Sequence, residues 1–263
     1  MSKDKQLIRG LREPGDLQTT VVEHRTPSPL ATLMETTAEK LRKFFGNVEL
    51  VPLPPEFTEV NLAKWSEFNL KPVFLPDEEI GPDRRLKGWT KPEHWFYDQI
   101  RENKLASDSA TLHQGWYLAD FTPGVDYTDG TQVFPDDPLA PIIVRLRQEK
   151  KVGQHDNTPP GSRFSITHDE WQTVVLPAIA NHLGFNPGQV RLERAVEFNA
   201  IGNLYAPNRG KFNMWEWFHD HFEGSYRLSG GLLRYGGLAG IFYVMFCDRV
   251  GIITGRSLVS FVK

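Results

Sequence analysis

Apolar residues recur at helical spacing in residues 31–45 (ATLMETTAEKLRKFF), with Leu33, Leu41, Phe44 and Phe45 on or near one side and Gly46 as a stop. That pattern predicts an amphipathic helix. The stretches that follow, VPLPPEF and KPVFLPDEEIGPD, hold too many prolines for central strands and read as extended segments over a core. Residues 1–88 are therefore expected to form an N-terminal arm or helical extension, and residues 89–263 the main domain. Thr90-Lys91-Pro92-Glu93 has the order of a capping box, predicting a helix through HWFYDQIREN with Trp95, Phe96 and Ile100 as its buried stripe. Asp137-Pro138 marks the start of another, PLAPIIVRLRQEKK, ended by Gly153; a strand over 142–146 is the alternative. Thr167-His168-Asp169-Glu170 repeats the capping box before WQTVVLPAIANHLG, where Pro177 must kink or restart the helix and Gly184 ends it. VRLERAVEFN then alternates from Val190 like a strand with one wet face. After Asn203 come short apolar pieces bounded by glycines. The class predicted is α+β, with few helices and many short strands.

Composition changes this picture mainly at the C-terminal end. All 19 prolines lie at or before Pro207, whereas eight of the 22 glycines fall between Gly224 and Gly255. Residues 224–263 carry Arg227, Arg234, Arg249, Arg256 and Lys263 against one acid, Asp248. These forty residues read as a distinct module, free of proline, rich in glycine and mildly basic. Over the whole chain, 30 Lys+Arg nearly cancel 33 Asp+Glu, which argues against a nucleic-acid partner. No apolar run approaches the roughly 18–20 residues of a membrane span. No secretory signal is visible at the start, so cytoplasm or virion is the expected location. Cys247 is alone, which excludes an internal disulfide and a cysteine-rich zinc site.

The chemistry-bearing residues nominate no enzyme. His219-Asp220-His221, with Glu216 and Glu223 nearby, is the one set resembling metal ligands, but it lacks a third histidine at conventional spacing. An aromatic-anchored turn with polar residues facing water is the plainer reading of WEWFHDHFEG. Gly230-Gly231 and Gly236-Gly237 lack the spacing of a phosphate loop, and no nucleophile elbow occurs. The pairs Asp136-Asp137 and Asp77-Glu78 read as solvated loop residues. The apolar setting IFYVMFCD would raise the pKa of the Cys247 thiol, so a small hydrophobe in or on a strand is its plainer role. No cofactor and no catalytic residue is expected.

The most apolar stretch, Gly240 to Cys247, fits a fully buried strand. It lies, however, among glycine-punctuated loops and runs on into DRVGIIT, which has neither helical nor strand period. If only alternate residues face a core, then Phe242, Val244 and Phe246, or else Ile241, Tyr243 and Met245, are exposed. Exposed aromatics in such number form contact surfaces.

From Val196 onward the chain resembles the end of the formylglycine-generating-enzyme type of C-type lectin fold. The matching pieces are Gly202-Asn203 with Trp215-Glu216-Trp217, Arg227 with Gly230-Gly231, and Arg256 in the last strand. Eleven residues separate Asn203 from Trp215, and the closing motif reads Thr254-Gly255-Arg256-Ser257, both departures from the family pattern. Catalytic members work through a cysteine pair, which one cysteine cannot supply. The order Gly-Gly, Gly-Gly-Leu-Ala, Arg, Gly-x-Arg and a short final strand is similar to the variable proteins of diversity-generating retroelements. Those carry a mutagenised segment near the chain end, where template adenines become any base. Residues 240–253 hold the residue types this produces and no Asn.

The resemblance implies a C-type lectin-like domain over 89–263 with a variable region over about 232–256. Its contact residues would be Tyr235, Gly240, Phe242, Tyr243, Val244, Phe246, Cys247, Asp248, Val250 and Ile252. Trp215, Glu216, Trp217, Arg227, Gly230, Gly231, Gly236, Gly237, Arg249 and Arg256 would be the scaffold, the last two arginines holding loops through carbonyls. The expected partner is a protein or other macromolecule, and virus receptor binding is one use such a surface serves. The competing reading is a formylglycine-generating or metal-dependent oxidase using His219 and His221, which stoichiometric copper would revive.

Overall fold

Ser28 accepts a hydrogen bond from the Ala31 amide and opens helix α1 (Pro29–Phe45), which stops at Gly46 with φ at 73°. The computed structural model describes residues 28–84, 89–126, 132–155, 157–209, 212–231 and 253–262, together with the backbone of 240–245. Leu41 of α1 is fully buried, and Phe44 and Phe45 meet Trp89 edge-on at 5.0 and 5.4 Å. Helix α2 (Glu59–Ser66), capped by Thr58, buries Trp65 against Phe57 and Phe261.

Two four-stranded sheets follow. The first has the order β1 (Leu70–Leu75), β4 (Gly115–Asp120), β10 (Ser257–Ser260), β5 (Val190–Leu192), antiparallel throughout. The second has the order β8 (Gly240–Met245), β7 (Tyr226–Gly231), β6 (Trp215–Phe222), β9 (Ile253–Thr254), with β9 parallel to β6. A two-residue ribbon joins β2 (Glu78–Glu79) to β3 (Thr111–Leu112). The remaining helices are α3 (His94–Arg101), α4 (Ala140–Gln148), α5 (His168–Glu170), α6 (Leu176–Leu183) and α7 (Ala195–Leu204). The protein is a mixed α+β chain with its main core between helices and first sheet, where Trp116 and Trp171 are almost wholly enclosed.

Several elements depart from the sequence pattern, each for a local reason. The proline-rich segment 70–75 is a true strand, β1, paired along its length with β4, so the division drawn at residue 88 crosses a sheet. Pro72 is tolerated because β1 is at the edge, where one side of the backbone needs no sheet partner. That outer side is covered by Tyr205, whose hydroxyl accepts from the Phe74 amide and donates to the Phe74 carbonyl.

Helix α3 begins at His94 after Glu93, without a side-chain cap. Thr90 is instead engaged by Asn203: its amide donates to Oδ1 at 2.8 Å, and its carbonyl accepts from Nδ2 at 2.7 Å. The capping box at Thr167 and Glu170 does form. Residues 171–175 are then π-helical before α6 starts with Pro177 in its first turn, so the ring restarts the helix as its missing N–H requires.

The alternating stretch from Val190 forms a strand only to Leu192 and continues as α7. Glu197 decides this, because its carboxylate accepts from the Arg194 amide and grips the Arg191 guanidinium at 2.6 and 2.7 Å. Val196, Phe198, Ala200 and Ile201 are all buried, so the helix is enclosed on every side and shows no wet face.

Candidate functional site

Strand β6 organises the C-terminal module. Trp215 pairs with Gly231 of β7 on one side and with Ile253 of β9 on the other. The segment 232–252 therefore leaves and rejoins the framework on either side of one residue. Two strand spacings put those ends roughly 10 Å apart. Trp217 is 1% exposed and its Nε1 donates to the Ile166 carbonyl at 3.0 Å, while Trp215 is half-buried.

Between the two tryptophans, Glu216 turns inward and accepts from Arg256 Nε and Arg209 Nη2, each at 2.8 Å. Arg256 Nη1 donates to the Thr122 carbonyl at 2.5 Å. Gly255 lies against Trp171 so closely that a Cβ would fall 2.5 Å from the indole. Ile253, Thr254 and Arg256 are buried, so the rejoining end is rigid framework.

Gly231 holds the departing end. A Cβ there would sit 2.1 Å from the Met214 carbonyl oxygen, which is backbone and cannot swing aside. Gly231→Ala is expected to cost about 1–3 kcal/mol of stability, because the β6–β7 pairing must shift to admit one methyl group. Urea denaturation measures this, and a neutral substitution would show that the approach is looser than described.

Beside Gly231, a cavity of about 280 Å³ lies between the loop after β4 and the loop after α7. Phe121, Phe198, Phe212 and Met214 form its apolar walls, and Asp120, Glu216, Arg209 and Arg256 are its charged members. Behind it, Arg163 is wholly buried between Asp120, Asp137 and the Thr122 hydroxyl. Burial pushes the Asp120 carboxyl up, but Arg163 and Arg256 outweigh this and hold it below the usual carboxylate range. Asp137, read from sequence as a solvated loop residue, is buried, because it chelates Arg163 and accepts from the Leu139 amide. Asp120, Asp137, Arg163, Glu193 and Arg209 are the residues of this candidate site that sequence reasoning missed. Their partners lie far away along the chain, and no local motif marks them.

His219 and His221 lie on one exposed face of β6, while Glu216 and Asp220 lie on its buried face. The strand's alternation thus parts the histidines from the acids. Among the described residues no group of three or more His, Cys, Asp or Glu is disposed to hold a metal. Asp220 accepts from the Ala195 amide at 2.7 Å and anchors the start of α7. Arg227 is half-buried and donates to the Tyr226 carbonyl, and Gly230 pairs with Glu216 and Ile241.

Gly240, Phe242, Tyr243 and Val244 lie on β8, opposite Gly231, Ser229, Leu228 and Arg227 of β7 in that order. Tyr235, Gly236, Gly237, Phe246, Cys247, Asp248, Arg249, Val250 and Ile252 lie outside the described residues. No helix of the described residues is long and apolar enough to cross a membrane. No protein-family model matches the chain, and neither a curated protein nor a solved structure matches it.

Proposed function

We propose that this chain is a ligand-binding protein in which a C-type lectin-like scaffold of the formylglycine-generating-enzyme type presents a C-terminal surface diversified by a retroelement. The observation that carries this reading is the placement of Gly231 and Ile253 on either side of Trp215. A segment tied at both ends to a buried, ion-paired framework can change its own side chains without disturbing the fold. Strand β8 lies at the outer position of its sheet, as a contact strand should. Aromatic residues such as Phe242 and Tyr243 suit the role, since each buries roughly 150–250 Å² on binding at little cost in rotamer entropy. The partner is a macromolecule, a protein by the apolar character of the segment. The scaffold supplies no chemistry of its own.

The deciding test is the locus. A nearby near-copy of the 3′ end of the gene, differing only where that copy has adenine, together with a reverse-transcriptase gene, is the expected finding. A locus with neither overturns the reading. At the protein level, replacing Phe242, Tyr243 and Phe246 together by Ser is expected to change stability by no more than about 1 kcal/mol. A loss of several kcal/mol in urea denaturation would place those side chains in the core instead.

A further inference from the structure

Among the described residues, the buried charges around Glu216 do not cancel. Arg163, Arg209 and Arg256 face Asp120, Asp137, Glu193 and Glu216, three guanidiniums against four carboxylates, all at most 7% exposed in their side chains. Three of the carboxylates are well supplied. Asp120 has Arg163 and the Thr122 amide, Asp137 has two nitrogens of Arg163, and Glu216 has both Arg209 and Arg256.

Glu193 is the exception. It follows β5 directly and, among the described residues, pairs only with Arg209 Nη2 at 2.8 Å, the same nitrogen that serves Glu216. Among the described residues neither of its oxygens has a partner with hydrogen-bond geometry. The neighbouring cations are committed elsewhere. Arg194 donates to the carbonyls of Asp108 and Thr111 and approaches Asp220 at 3.9 Å, and Arg191 is held by Glu197.

We propose that Glu193 is a proton-binding site coupled to the C-terminal surface, balancing the buried network when protonated and loosening it when ionised. Ionised Glu193 competes with Glu216 for Arg209. The chain Arg209–Glu216–Arg256, which holds the end where residues 253–260 rejoin the framework, weakens as a result. The effect on ligand binding rests on the function proposed above; the proton site does not. Burial, opposed by Arg209 and Arg256 and reinforced by Glu216, pushes the Glu193 carboxyl up to about 7. A carboxyl raised in the folded state contributes stability that is complete below its unfolded value of about 4.3. That contribution is lost as the pH climbs to about 7.

The test uses the full chain and its Glu193→Gln variant in urea denaturation from acid to mildly alkaline pH. The variant stays neutral, so comparing the two cancels other titrations, such as that of Asp220, which burial pushes up to about 6. The expected result is that the wild-type folding constant falls relative to that of the variant by on the order of 100-fold between pH 4.5 and 7.5. A ratio independent of pH would reduce Glu193 to a structural role and overturn the proposal. Carboxyl-carbon NMR of the wild type keeps the question open to refutation even where the variant fails to fold. A Glu193 midpoint near neutrality supports the site, and an ordinary acidic one overturns it. The amide signals of Ile253, Thr254 and Ser257 are expected to move with that midpoint, and unmoved signals would overturn the coupling. No ligand enters these measurements, so their failure is distinct from failure of the recognition reading, which the locus decides.

Discussion

Arg163→Met is expected to lose on the order of 3–5 kcal/mol, enough to consume much of a stability that in single domains is about 5–15 kcal/mol. Methionine fills most of the volume, so packing is not the main term. The loss comes from Asp120 and Asp137, which stay buried with one guanidinium fewer between them. Asp120 retains Arg256 at 3.7 Å and the Thr122 amide, whereas Asp137 keeps, among the described residues, only the Leu139 amide as a hydrogen-bond donor. Lowering the pH supplies protons to the orphaned carboxylates, so the deficit of the variant is expected to shrink from pH 7.5 to pH 5. Chemical denaturation at the two values checks both parts. A deficit under 1 kcal/mol, or one that grows in acid, would contradict the role given to Arg163.

Trp217→Ala is expected to cost a similar amount, about 3–5 kcal/mol, for a different reason. Here the main term is the cavity left by an indole that is 1% exposed, with an added penalty for the Ile166 carbonyl deprived of its donor. Trp217→Phe keeps a ring and most of the packing, so its expected loss is smaller, about 1–3 kcal/mol from the missing hydrogen bond and the part of the indole left unfilled. The consequence reaches beyond the core. Strand β6 pairs with both β7 and β9, so a loosened Trp217 frees both anchors of segment 232–252 together. Amide exchange at Ser229 and Thr254 is expected to accelerate in step in Trp217→Ala. Acceleration on one side alone would show that the two anchors are independent.

The parts of this molecule that the sequence makes legible are those decided within a few residues. Gly46, Gly184, the Thr167–Glu170 box and Pro177 each state a helix end or break in their own chemistry. The same local vocabulary misleads at Thr90, because a competing partner, Asn203, lies 113 residues away. It misleads again after Val190, where alternation suggests a strand and the bidentate Arg191–Glu197 pair starts a helix instead. The candidate site was legible in outline only. Glu216, Arg256 and Gly231 can be singled out from the order of residues. Their partners cannot, since Arg163 joins acids 26 and 43 positions away and Arg256 reaches Glu216 across 40. Carboxylates that look solvated in a string of letters, Asp137 above all, are drawn inward by a guanidinium that no short motif announces.

The anchors on either side of Trp215 also bear on chain length. A span whose two ends are fixed can be lengthened cheaply, because the entropy of closing a flexible loop grows only logarithmically, by about 0.6 kcal/mol per doubling. Insertions between Gly231 and strand β8, or between β8 and Ile253, are thus expected to cost far less stability than a single exchange at Arg163 or Trp217. If the segment is the recognition surface proposed above, its reach can vary as well as its side chains while Gly231 and Ile253 keep the mounting fixed.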